Sequence, residues 1–399
     1  MKYALIVPDG AADDPLADYN GQTAFEAARI PHMDWIAARG RMGLIKTVPE
    51  GMTPGSDVAT LSVVGYDPKI HYTGRAPLEA VAKKISLEQD ELVFRCNLVT
   101  LGEDTMEDFS AGHISQPEAE KLIADLQRQL GDERIRFHVG VGYRHLITVK
   151  NAGDIKVECT PPHDIPGQPI AGHLPVGKGS DLVRSLMTRS REILENHEIN
   201  QTRRDLGENP ANSIWLWGQG SMPRLPNFRQ RFGVRCAAIT AVDLFRGIAL
   251  SIGWRMIDVP GATGYIDTNY AGKGQAAVQA LDEVDMVAVH IEAPDEMGHN
   301  GDAANKIKAL ERIDEHIVGP VLEKLQSFDE WRILCLPDHP TPVAKRTHVS
   351  DPVPFGMAGT RVIPDESERF TEEQGRQSDL HIDPGYELME YFLKSGQEG

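Results

Sequence analysis

Cysteine is scarce in this chain of 399 residues: Cys96, Cys159, Cys236 and Cys335 stand far apart, with no CxxC pair. That pattern excludes a disulfide framework and points to buried thiols in a reducing, cytoplasmic setting. Basic residues are also in short supply, 41 against 59 acidic ones, for a net charge of -18. Such a balance argues against nucleic acid or an anionic membrane as partner, and any anion the chain handles must meet locally focused positive charge. Nowhere do about 18 apolar residues run without a charge, and the apolar run in the opening MKYALIVPDG is too short for a secretion signal. A soluble, cytoplasmic protein is expected. Aromatics make up only 6%, yet the hydrophobic content of 41% is ordinary for a globular protein with a sizeable core and room for two domains. Internal repeats and low-complexity tracts are missing.

What is present reads as alternating strands and helices. Tyr3 to Val7 is a short apolar run stopped by Pro8-Asp9-Gly10, a buried strand with Asp9 at its C-terminal lip. A helical pattern interrupted at Pro31 follows over Thr23 to Gly40, then a second strand over Met42 to Val48; strand, helix, strand implies a parallel pair. The loop Pro49 to Gly55 delivers Ser56 to the first turn of a helix. Ser56 has two readings, a cap whose hydroxyl binds a backbone N–H or a nucleophile at a helix N-terminus, where a phosphate would also be welcome.

Between residues 86 and 177 the texture changes to strands plus one amphipathic helix, opened by the capping box Ser115-Gln116-Pro117-Glu118. This predicts a small α+β domain inserted into a core formed by residues 1–85 and 178–399, with Pro- and Gly-rich hinges at about 78–88 and 161–179. The stretch Gly172 to Gly179, GHLPVGKG, lacks the last hydroxyl of a P-loop and reads as linker. Afterwards the α/β rhythm returns, including strands at Ser213 to Trp217, Arg235 to Thr240, Met286 to Ile291 and Trp331 to Leu336. The fold class expected is α/β, a doubly wound sheet with a smaller inserted domain.

Three apolar runs end in acids: Asp9, then Asp295 four residues ahead of His299, then Asp338 beside His339, with His348 shortly after. One acid at a strand end is commonly a helix cap, but three acids with three histidines at strand ends form a ligand pattern. Six N/O donors plus a hydroxyl suit two divalent ions and leave room for a phosphoryl group. His290, inside a strand run, reads as a satisfied core histidine.

The motifs Gly55-Ser56-Asp57-Val58-Ala59, Pro294-Asp295 with Gly298-His299, Asp338-His339, and His348 before Pro352-Val353-Pro354 resemble the alkaline phosphatase superfamily. Within it the chain resembles the cofactor-independent phosphoglycerate mutases of archaeal type, nearly end to end, including Tyr72 to Ala80, Phe109 to His113, Gly142 to His145 and Pro161 to Asp164. The resemblance implies that Asp9, Ser56, Asp338 and His339 hold one ion and Asp295, His299 and His348 the other. It implies a transient phosphoserine at Ser56, a lid made by the inserted domain, and substrate binding by His113, Arg144, Arg75 and Lys273. The expected cofactors are two divalent ions, Mn first among Mn, Zn, Co and Mg, with no 2,3-bisphosphoglycerate; the partner is a small phosphorylated substrate.

Pro340 follows the Asp-His pair where archaeal-type mutases tend to carry Ser, a variant that looks like a bacterial subgroup proposed to phosphorylate homoserine. Two enzymatic alternatives on the same metal site are therefore a homoserine kinase-like phosphotransferase and a phosphomonoesterase. A non-catalytic metal-binding protein is a third reading. Oligomeric state is open.

Overall fold

The structure, a computed structural model, describes residues 1–88 and 90–396, which form two compact units, residues 1–72 with 224–399 and residues 73–223. The larger unit is built on an eight-stranded sheet. Its spatial order is 255–257, 236–239, 286–291, 2–8, 331–335, 353–359, 41–45 and 381–382. The first five strands are mutually parallel. Parallel strands are covered on both faces, so they need uninterrupted apolar runs, and Met286–Ile291 is buried at every residue. The helix Tyr270–Glu283 packs against that strand, and Gly319–Gln326 against the strands at 2–8 and 331–335.

One expected pairing is wrong. The strand Arg41–Ile45 does not lie beside Lys2–Pro8: two strands intervene, and it pairs antiparallel with Val353–Gly359. A helical connection between two strands fixes their order in the chain but not their adjacency, and the late strand at 353–359 takes the place between. Pro31 breaks the first helical pattern as expected, because it opens a fresh helix, Pro31–Arg39. Two helices, Ala303–Ile313 and Gly319–Gln326, are joined by a π-helical turn over Asp314–Val318.

The smaller unit has a five-stranded antiparallel sheet, in which Leu92–Leu101 is flanked by Arg144–Val149 and Ser213–Ser221. The helix Gln116–Leu130, with the Ser115/Glu118 capping box, buries Leu122, Ile123 and Leu126 against Phe94, Cys96 and Leu98 among others. This unit spans 73–223 rather than 86–177. The cause is the strand at 213–221, which pairs along 92–101 from Leu92↔Ser221 to Val99↔Ser213 and carries the helix Ser180–Leu194 with it. At the other boundary the helix Arg75–Ala82 packs on the strands at 92–101 and 213–221. The stretch around GHLPVGKG contributes a short strand, Val176–Lys178, paired with Lys156–Glu158. Among the described residues no helix is long and apolar enough to cross a membrane.

Candidate metal centre and nucleophile

Three adjacent parallel strands, 286–291, 2–8 and 331–335, run in the same direction, so the loops leaving their C-terminal ends meet. Asp9 follows the middle strand directly; Asp338 and His339 follow one neighbour; Asp295 sits in the first turn of the helix Ala293–Asn300 after the other. Sheet order thereby brings together residues about 290 to 330 positions apart in the chain.

The first group is fully buried. His339 Nε2 lies 3.4 Å from Asp9 Oδ1, 3.6 Å from Asp338 Oδ2 and 3.0 Å from the Ser56 hydroxyl. Asp338 Oδ1 accepts from the backbone N–H groups of Gly10 and His339, at 3.1 and 2.9 Å, which turns its other oxygen toward the group. Ser56 is the first residue of the helix Ser56–Val63 and its hydroxyl meets His339. That contact replaces the capping bond which was the alternative reading of this serine.

In the second group the helical spacing of Asp295 and His299 puts both side chains on one face, with His299 Nε2 3.3 Å from Asp295 Oδ2. His348 Nε2 lies 3.4 Å from Asp295 Oδ1 and 2.9 Å from His299 Nε2. His299 Nδ1 donates to the Arg346 carbonyl at 3.1 Å, which fixes the tautomer with Nε2 bare.

The donor set fits cations. Asp9 Oδ1 and Asp338 Oδ2 are buried with no hydrogen-bond partner, an arrangement that leaves two carboxylate oxygens uncompensated unless a positive charge joins them. Burial first, then the charge of Asp338, pushes the Asp9 carboxyl well above its usual range. Carboxylate oxygens and imidazole nitrogens within 4.8 Å of one another occur in both groups, Asp9/Asp338/His339 and Asp295/His299/His348.

A third such group, Asp9/His290/Glu292, includes two residues the sequence reading had not placed in the site. His290 donates from Nε2 to Asp9 Oδ2 at 2.8 Å and accepts from the Thr240 hydroxyl at 3.1 Å; burial lowers its pKa to about 3, so it is neutral. Both ring nitrogens are used, consistent with a supporting histidine that orients Asp9. Glu292 precedes the helix of Asp295, and burial and the Asp295 charge raise its pKa to about 8. An acid three residues before Asp295 was visible in the sequence but had no partner there to give it meaning. Lys273, one of the substrate-binding candidates, is buried in the larger unit and donates to the His290 carbonyl at 3.2 Å.

The other three candidates lie in the smaller unit. His113 is exposed and follows Ala111 and Gly112, all three with left-handed backbone, at φ 50°, 49° and 64°. Two groups hold this turn: Asp108 accepts from the Gly112 N–H at 2.7 Å, and Arg203 donates to the Ala111 carbonyl at 3.0 Å. A chain of edge-on ring contacts runs from His113 through Tyr143, Phe109 and His163 to Trp217. On the Trp217 face lies the guanidinium of Arg95, 4.2 Å from a ring centroid, a residue the sequence reading missed. Arg95 is 7% exposed and shares Glu79 with Arg75, each Nε being 3.3 Å from one carboxylate oxygen. Burial, opposed by Glu79 and aided by the charges of Arg75 and Arg144, lowers its pKa to about 10. Its signal was a lone charge inside the strand run VFRCNL.

Carboxylates, imidazoles and an alcohol gathered at parallel strand ends form the arrangement that metal-assisted phosphoryl transfer requires. A family model described as 2,3-bisphosphoglycerate-independent phosphoglycerate mutase matches residues 37–200. Curated relatives of that name include one from Methanothrix thermoacetophila, 49% identical over 98% of this chain and 100% of its own length. Another, from Methanosarcina acetivorans, is 48% identical over 99% of this chain and 100% of its own. Among solved structures, a protein of Pyrococcus horikoshii is similar with a TM-score of 0.83 at 28% identity, covering 98% of this chain and 96% of that one. The cofactor-independent phosphoglycerate mutase of Thermoplasma acidophilum shares the fold, with a TM-score of 0.64 at 24% identity over 99% of both chains. The chain belongs to the family of 2,3-bisphosphoglycerate-independent phosphoglycerate mutases.

Proposed function

We propose that this protein interconverts 3-phosphoglycerate and 2-phosphoglycerate in the cytoplasm, without bisphosphoglycerate, through phosphorylation of Ser56. The observation that carries the reading is the Ser56 hydroxyl at 3.0 Å from His339, beside two buried carboxylate oxygens that have no hydrogen-bond partner. Asp9, Ser56, Asp338 and His339 would hold one divalent ion and Asp295, His299 and His348 the other, with Mn the metal we favour. Bound there, the ions would supply charge neutralisation for the phosphoryl oxygens and a lowered pKa for the Ser56 hydroxyl.

The residues of the chain do the rest. Ser56 Oγ bonds to phosphorus in line as the bond from phosphorus to the glycerate oxygen breaks. The proton lost by Ser56 is matched by one gained by the departing alkoxide, so glycerate and phosphoserine are left. The neighbouring glycerate hydroxyl then attacks the phosphoserine, and Ser56 regains its proton. Asp338 and Asp9 are held in place by the backbone N–H groups of Gly10 and His339 and by His290 respectively, so little rearrangement accompanies the charge shift.

We assign His113, Arg75, Arg144 and Lys273 to substrate binding, and add Arg95. Arg95, whose guanidinium feels the charges of both Arg75 and Arg144 and shares one carboxylate, Glu79, with Arg75, favours a substrate bearing phosphate and carboxylate over the amino acid homoserine. The test is conversion of 3-phosphoglycerate by Mn-loaded protein with no bisphosphoglycerate, beside a parallel reaction with homoserine and ATP. Isomerisation abolished by a chelator is expected. Phosphohomoserine without isomerisation would transfer the function to the kinase, and release of free phosphate alone would transfer it to a phosphatase.

A further inference from the structure

Between the two donor groups sits a residue that belongs to neither. Thr341 is fully buried, and its hydroxyl lies 2.5 Å from Asp295 Oδ1 and 3.2 Å from His339 Nδ1. One member of each group therefore touches the same oxygen.

A hydroxyl has one proton to give and lone pairs to receive. As a ligand carboxylate on the two-ion reading, Asp295 has lone pairs to offer and no proton to give, so toward Thr341 it is the acceptor. The Thr341 proton goes to Asp295. What remains for His339 is a lone pair, which receives the Nδ1–H. His339 is thereby fixed in the tautomer whose bare Nε2 faces Ser56, Asp9 and Asp338.

The backbone around Thr341 is built to keep it there. Its N–H reaches the carbonyls of Gly10 and Ala12, at 3.2 and 3.3 Å, and its carbonyl accepts from the buried Lys306 ammonium at 2.8 Å. Gly10 and Gly298 leave the room: a Cβ at Gly10 would stand 2.7 Å from the Thr341 hydroxyl, and one at Gly298 2.4 Å from its carbonyl. A valine would fill the same space without the two hydrogen bonds.

We propose that Thr341 is a positioning residue shared by both ion sites, setting the His339 tautomer on one side and the Asp295 carboxylate on the other, so that its loss weakens both ions together. The inference rests on the two-ion reading proposed above. Loss of a supporting hydrogen bond typically costs a ligand about 10- to 100-fold in metal affinity.

The experiment titrates metal-free Thr341→Val, Thr341→Ser and unsubstituted protein with Mn by calorimetry, and records the imidazole nitrogen resonances of His339 in the metal-free state. Thr341→Val is expected to bind both ions about tenfold or more weakly and to show His339 as a tautomer mixture, with Thr341→Ser restoring both readouts. Unchanged affinity, or weakening at only one site, overturns the shared role, as does a His339 tautomer that ignores the hydroxyl. Should Thr341→Val fail to fold, the Thr341→Ser and unsubstituted proteins still report the tautomer: a proton on His339 Nε2 in both sinks the inference. If the unsubstituted protein takes up fewer than two ions, the two-ion reading falls and this inference with it; two ions with an indifferent Thr341→Val variant removes the inference alone.

Discussion

The Nε2 atoms of His299 and His348 face each other at 2.9 Å, and each also lies within 3.4 Å of an oxygen of Asp295. Two imidazole nitrogens this close cannot both carry protons; on the reading proposed above, both are offered to one cation. Replacing His348 with Asn should lower the Mn stoichiometry from two ions to one, read by equilibrium dialysis. An unaltered count of two would remove His348 from the ligand set.

Ser56→Ala leaves every carboxylate and imidazole in place. It should keep both ions, though the one near His339 more weakly, and reduce turnover by at least about a thousandfold, since a covalent step loses its nucleophile. Labelled phosphate trapped on the unsubstituted protein by acid quench, and missing from the variant, is the direct check; label on the variant would place the intermediate elsewhere.

Burial lowers the Lys273 ammonium to about 8, with Glu292 opposing the shift. If this cation serves the substrate, kcat/KM should fall as pH rises through about 8, and Lys273→Met should flatten that limb. The stability sign is opposite: the folded state gives up its proton before the unfolded chain does, so between pH 8 and the unburied lysine value the unfolded chain binds more protons and stability rises with pH. Urea titrations at pH 7.5 and 9.5 on the unsubstituted protein and Lys273→Met would separate this contribution from the others.

Arg95→Lys keeps a charge but loses the planar face that lies on Trp217 and the Nε that meets Glu79. KM for phosphoglycerate should rise by about tenfold, roughly 1.4 kcal/mol, with kcat changed less. A variant with unchanged KM would show that Arg95 serves the packing of the smaller unit alone.

How much of this was legible beforehand divides along physical lines. Asp9, Asp295 and Asp338 could be read because each follows a continuous apolar run, and a strand end is a local property. His299 came from a helical spacing, equally local. Pairing is not local, which is why the strand at 41–45 was given the wrong neighbour and the strand at 213–221 the wrong unit. Thr240 and Thr341 need partners 50 and 46 positions away, His290 and Asp295, to gain their meaning, and Glu292 needs Asp9 at the end of the neighbouring strand. Arg95 was written in plain view, but a charge inside a strand says only that a partner exists, not that it is an aromatic face.

The buried oxygens of Asp9 and Asp338 have a consequence outside the reaction. An ion that binds the folded chain and not the unfolded one shifts folding by mass action, by about 2.7 kcal/mol at a hundred times its dissociation constant. If the ions bind as proposed, the working life of this protein in a cell is tied to the supply of divalent metal. A starved cell would hold the same number of chains for a shorter time, its proteases finding first the copies whose central acids had been left facing one another.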